Sequence, residues 1–214
     1  MTHRFLVAGP DKAKTTILLA HGAGGAMDTQ WMDAITQALS DHGLMIIRFE
    51  FDYMASRRTS SKRRPPPRAE LLQDEFKAVV SQLGKQGSLV IGGKSMGGRV
   101  ASIIADELYR EGMIVGLLCL GYPFHPTGKP EKLRTAHLAE LSTPTLICQG
   151  TRDPFGSKAE VAGYQLSNAI RLNWLDDGDH DFKPRKAISG LTVKDHITTA
   201  AQDIATWAEA LSQG

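Results

Sequence analysis

Ser95 stands between two glycines in the stretch Gly93-Lys94-Ser95-Met96-Gly97. An apolar, β-rich run, "SLVIGG" (88–93), precedes it, and residues 96–111 have helical spacing. A turn this tight between strand and helix forces the serine into a strained backbone and lifts its hydroxyl clear of the chain. Side chains two positions before and after would collide, which accounts for the glycines. The first amides of the helix then face any carbonyl that the hydroxyl attacks. A glycine-rich turn with no chemistry has the same five residues, so the pattern needs partners.

Two partners lie downstream. Asp153 follows the apolar run "TPTLICQG" (143–150), and His180 follows "IRLNWLDD" (170–177). Alone, the first reads as an ordinary turn aspartate and the second as a solvated loop histidine. Taken together they are a hydroxyl nucleophile, an imidazole base and a carboxylate to orient it, the set required for acyl transfer through a covalent intermediate. His180 has acidic neighbours at Asp176, Asp177, Asp179 and Asp181. Asp179 and Asp181 are rival orienters, but a sequence neighbour is hard to aim at the ring, so Asp153 is the expected acid. The stretch "HGAGG" (21–25) follows another apolar run, "TTILLAH" (15–21). Its glycines let backbone N–H groups face an oxyanion. The expected donors are the amides of Ala23 and Met96, with Gly24 the alternative to Ala23. His21 is expected to shape this loop rather than to react. No metal or organic cofactor is required.

These residues need a scaffold that brings strand ends together. Short apolar runs alternate with longer amphipathic segments. Strands are expected at 4–9, 15–21, 44–51, 88–93, 114–121, 143–150 and 170–177. Helices are expected at 29–42 (capped by Asp28), 71–83, 96–111, 157–167 and 195–212. Such alternation predicts a three-layer α/β/α sandwich around a mainly parallel sheet of about seven strands, in one domain spanning 1–214. In open sheets of this kind functional groups gather past the C-terminal strand ends. Ser95, Asp153, His180 and the 21–25 loop all fall there. Walls of a substrate pocket are expected from the same loops, at Tyr122, Phe124, His125, Phe155 and Phe182.

The chain resembles the α/β-hydrolase superfamily. The resemblance rests on "LLAHGAGG", "GGKSMGGRVAS", "GYPFHPTGKPEKLRTAHL", "TPTLICQGTRDPFG" and "GDHDFKP", and covers about residues 15–210. Serine, aspartate and histidine occur in that superfamily's order. More narrowly, the chain is similar to small hydrolases related to dienelactone hydrolase and to the hydrolase-like family of testis-expressed and NSL-complex proteins. The resemblance implies a serine hydrolase acting on a carboxylic ester, thioester or amide. Ser95 occupies the position of the dienelactone hydrolase cysteine, so that substrate does not carry over. Only residues 122 to 142 separate two core runs, too few for a large helical lid. Some relatives act as scaffolds, so a non-catalytic binding protein is the alternative.

Bulk properties are consistent with this. The 214 residues hold 42% hydrophobic and 22% charged positions, with a net charge of +2. That balance gives no general attraction to nucleic acid. Cys119 and Cys148 sit in apolar runs and read as buried free thiols, which fits a reducing compartment. No stretch approaches a membrane span or a signal-peptide core. A cytoplasmic protein with a small-molecule acyl substrate is expected, its oligomeric state open. The stretch "RRTSSKRRPPPR" (57–68) holds six basic residues in twelve. It reads as a solvated loop, or else as an anchor for an acidic substrate or nucleic acid.

Overall fold

In the computed structural model, the described residues are 3–60, 65–84 and 87–212. Seven strands form one sheet: β1 (Phe5–Ala8), β2 (Thr15–Ala20), β3 (Met45–Phe49), β4 (Ser88–Lys94), β5 (Gly116–Leu120), β6 (Thr145–Gly150) and β7 (Ile170–Leu175). Their order is β1-β3-β2-β4-β5-β6-β7. The β1–β3 pair is antiparallel at one edge and every other pair is parallel. Among the described residues seven α-helices accompany them: α1 (Gln30–Asp41), α2 (Asp52–Ala55), α3 (Gln73–Leu83), α4 (Met96–Arg110), α5 (Lys158–Val161), α6 (Lys186–Ser189) and α7 (Val193–Leu211).

The three layers follow from side-chain alternation along the strands. Leu18 and Ala20 of β2, Leu89 and Ile91 of β4, and Leu117 and Cys119 of β5 face a cluster with Phe76 and Val80 of α3 and Val100 and Ile104 of α4. Ile17 and Leu19, Val90, and Leu118 and Leu120 face the opposite cluster, with Ile35 and Leu39 of α1 and Ile197 and Ile204 of α7. Successive strand residues point to opposite faces. Helices cover both faces, so the central strands are apolar at nearly every position.

Two local expectations need correction. Thr29, not Asp28, caps α1, its side chain accepting the Met32 amide at 3.4 Å. Asp28 is engaged instead by Arg58 at 2.8 Å. The helix expected over 157–167 shrinks to α5, which a Ser157–Glu160 capping box starts and which ends before Gly163. After β3 the chain forms α2 and a 3-10 turn at Ser56–Arg58.

Of the basic stretch 57–68, residues 61–64 lie outside the described residues. Arg58 forms ion pairs with buried Glu50 at 2.6 Å and with Asp28 at 2.8 Å. Arg57 lies over the Tyr53 ring at 5.3 Å. Arg58 thus ties this stretch to Glu50, while Arg57 packs on α2. Among the described residues, no helix is long and apolar enough to cross a membrane.

Candidate active site

β4 ends at Lys94 and α4 begins at Met96, leaving a single residue for the turn. That residue, Ser95, has φ 51° and ψ −113°. Such a backbone in a non-glycine residue costs on the order of 1–3 kcal/mol and persists only where its surroundings enforce it. Here the Ser95 amide donates to the Leu120 carbonyl at 2.9 Å, pinning the turn to β5. A Cβ on Gly93 would lie 2.4 Å from the Ala20 oxygen, and one on Gly97 2.6 Å from the same atom. Both glycines are therefore required by close approach of the backbone to β2.

His180 and Asp153 converge on this serine. Ser95 Oγ lies 2.8 Å from His180 Nε2, and His180 Nδ1 lies 2.8 Å from Asp153 Oδ2. Asp153 is fully buried. Its carboxylate also accepts the Gln149 side-chain amide on Oδ2 at 2.9 Å and the Phe155 backbone amide on Oδ1 at 2.8 Å. Burying a carboxylate is costly unless its lone pairs are satisfied, and these donors supply that. Because Asp153 can only accept, His180 Nδ1 donates to it, leaving Nε2 to accept from the serine hydroxyl. The two rival acids are occupied elsewhere. Asp179 Oδ1 accepts the amides of Asp181 and Lys183 at 2.9 and 3.0 Å. Asp181 Oδ1 pairs with Lys94 Nζ at 3.2 Å.

The 21–25 loop is held by two side chains. The Phe51 amide donates to His21 Nε2 at 3.2 Å, so His21 carries its proton on Nδ1 and donates it to the Gly22 carbonyl at 2.6 Å. Burial holds the His21 pKa below its usual value, keeping the ring neutral. Tyr53 Oη donates to the Ala23 carbonyl at 3.0 Å. The loop passes close to the serine: a Cβ on Gly22 would lie 3.8 Å from Ser95 Cβ. Met96 is the first residue of α4, so its amide has no carbonyl to meet within the helix.

A cavity of about 480 Å³ opens over these groups, with Ser95, His180, Ala23 and Gly24 in its walls. Of the expected pocket residues, Phe155 lines it and stacks obliquely on His180 with ring centroids 4.4 Å apart. The other four do not line it. Tyr122 and Phe124 are fully buried in the core and pack on each other at 4.9 Å. His125 is buried, with Nδ1 2.9 Å from the Pro126 carbonyl. Phe182 is buried beneath Trp31 at 5.2 Å. The loop after β5 turns down into the core, because its large aromatic side chains gain more from burial there than at an open rim. The apolar wall comes instead from Ala26, Trp31 and Met32. The helical spacing of Trp31 pointed to a core position; being the first aromatic after "HGAGG" was the only signal of its second use.

A second serine–histidine contact lies elsewhere. Ser102 Oγ is 2.8 Å from His137 Nε2, but it is buried and donates to the Arg99 carbonyl at 2.8 Å. With its proton committed, this hydroxyl receives a hydrogen bond from the imidazole. Among the described residues, His3, Asp52 and Glu75 also converge with ligand atoms within 4.8 Å. One Glu75 oxygen is already taken by the Asp52 amide at 2.5 Å.

Residues 13–209 match a family model described as an alpha/beta hydrolase domain. The chain belongs to the alpha/beta hydrolase family. This hydrolase is 29% identical over 157 residues to a putative protein-lysine deacylase, ABHD14B of Rattus norvegicus, covering 72% of this chain and 69% of that protein. Its fold is similar to XC6422 from Xanthomonas campestris, a serine hydrolase without a lid (TM-score 0.70, 19% identity, 95% of this chain and 88% of the other). It is also similar to dienelactone hydrolase from Anabaena variabilis (TM-score 0.69, 22% identity, 97% and 91%). Like that lidless neighbour, this alpha/beta hydrolase has no lid domain among its described residues.

Proposed function

We propose that the protein is a serine hydrolase that cleaves a carboxylic ester, or a related thioester or amide, through an acyl-enzyme. One observation carries this: the unbroken relay of 2.8 Å contacts from Ser95 Oγ through His180 to buried Asp153. Ser95 attacks the acyl carbonyl while His180 Nε2 takes its proton. Asp153 fixes the ring tautomer and stabilises the imidazolium. The amides of Met96 and of Ala23 or Gly24 receive the oxyanion. His180 then protonates the leaving group, and a water activated by the same imidazole releases the acid and restores Ser95.

The apolar wall of Ala26, Trp31, Met32 and Phe155 suits a small hydrocarbon acyl or aryl group. Similarity to a putative protein-lysine deacylase keeps acyl-amide cleavage within the proposal. Cys119 and Cys148 are buried free thiols, and burial pushes the Cys148 thiol up to about 12, so neither competes as a nucleophile. Free thiols also suit the cytoplasm, where we place the protein.

Hydrolysis of p-nitrophenyl acetate and labelling by a fluorophosphonate, compared between wild type and Ser95→Ala, test the proposal. Wild type should react in both assays, and the variant should lose at least about 10⁴-fold in turnover and all labelling. Equal behaviour of the two proteins would remove it.

A further inference from the structure

Lys94 immediately precedes the serine, and its side chain is almost entirely buried. A buried ammonium is costly unless it is paired, and burial holds the Lys94 pKa below its usual value. Its partners explain why it is kept. Nζ donates to the backbone carbonyl of His180 at 2.5 Å and pairs with Asp181 Oδ1 at 3.2 Å. It also lies 5.1 Å from the centre of the Trp31 ring. Trp31 Nε1 in turn donates to the Asp181 carbonyl at 2.9 Å.

The backbone leaves room for this arrangement. Gly121 has φ 69°, and a Cβ there would meet the His180 oxygen at 3.0 Å, Lys94 Nζ at 3.2 Å and His180 Nδ1 at 3.3 Å. Lys94 and the imidazole thus share space that any other residue at 121 would fill. The carboxylates of Asp181, Asp153 and Asp179 favour the charged form of the ammonium.

We infer that Lys94 is a positioning residue that ties the backbone of His180 to the strand end that leads into Ser95. The tie is short. One covalent step leads from Ser95 to Lys94, and one charge-assisted hydrogen bond leads from Lys94 to His180. It holds His180 by its backbone carbonyl, whereas Asp153 holds the ring through Nδ1. Displacement of a catalytic group by about 1 Å costs up to roughly 100-fold in rate. A flexible histidine loop is therefore the defect that Lys94 prevents. The inference rests on the serine-hydrolase proposal above.

Lys94→Met separates this role from a structural one. Removing one partner of a buried contact is destabilising, but the Asp181 side chain is 69% exposed and its charge stays solvated, so the thermal midpoint should fall by only about 2–4 °C. The fluorophosphonate labelling rate and kcat for p-nitrophenyl acetate should each fall about 10–100-fold, with KM changed less than about 2-fold, since the ammonium is committed to protein atoms. Lys94→Arg, which retains a cationic donor, should recover part of the rate. Asp181→Asn, which leaves the bond to His180 in place, should cost less than about 3-fold. If Lys94→Met labels as fast as a reactive wild type, this inference fails while the proposed function stands. A Met variant that melts well below wild type assigns Lys94 to the fold and overturns the inference, as does an Arg variant no faster than Met. A wild type that does not label at all overturns both.

Discussion

The Tyr53 hydroxyl donates to the Ala23 carbonyl at 3.0 Å, joining α2 to the loop that follows β2. In a trans peptide the C=O and the following N–H point in opposite directions. Holding the Ala23 oxygen therefore aims the Gly24 amide away from Tyr53. The His21 bond to the Gly22 oxygen does the same for the Ala23 amide. Both proposed oxyanion donors are thus oriented before any substrate arrives.

Tyr53→Phe tests this orientation. Burial pushes the Tyr53 hydroxyl up to about 12, so it remains a neutral donor across the working range. Its loss should lower kcat about 3–10-fold with little change in KM, less than the roughly 2.7–4 kcal/mol lost when an oxyanion donor is removed outright. Chemical denaturation should show a loss of about 1 kcal/mol for the single hydrogen bond.

Ser102 provides the matching control. Its 2.8 Å contact with His137 resembles that of Ser95 with His180, but its hydroxyl proton is committed to the Arg99 carbonyl. Ser102→Ala should leave fluorophosphonate labelling within about 2-fold of wild type, because oxyanion donors and an acid-oriented base are required for a reactive serine. Labelling lost in Ser102→Ala and kept in Ser95→Ala would transfer the chemistry to the wrong helix face.

Asp177 governs a pH effect on stability. It follows β7, accepts the Arg185 backbone amide at 2.7 Å and lies 2.7 Å from Arg152, the neighbour of Asp153. Chiefly through its hydrogen bond with the Arg185 side chain, its pKa falls from 3.8 to about 2. A carboxyl depressed in the folded state stabilises the fold fully above its unfolded pKa of 3.8, and that contribution is lost as pH falls through about 2. Asp177 has φ 55°, which asparagine also tolerates, so Asp177→Asn isolates the charge. The variant should melt below wild type at pH 7, and the gap should close as pH approaches 2. A gap independent of pH would show that the charge is not its source.

Much of the site was legible because its parts are local. The glycines around Ser95, the Asp153 loop and "HGAGG" each announce a turn at the end of an apolar run, and every strand run was long enough to recognise. The pocket was not legible in the same way. Tyr122, Phe124 and Phe182 carry the apolar surface expected of a wall, but a loop aromatic can turn inward or outward with the same sequence. Trp31, which does line the cavity, belongs to a helix whose periodicity points equally well to the core. Gln149, which helps satisfy buried Asp153, reads in sequence as one more residue of a strand.

The sequence by itself determined the order of strands and helices, the strained turn at Ser95 and the three residue types suited to acyl chemistry. Those depend on short-range sterics and on period-two and helical spacing, which adjacent residues encode. Only the tertiary structure decided which aspartate meets His180, which serine–histidine contact is free to transfer a proton, and what Lys94 holds. Each depends on groups 27 to 86 positions apart meeting within hydrogen-bonding distance. The crossovers of the sheet set those distances, and no local pattern records them.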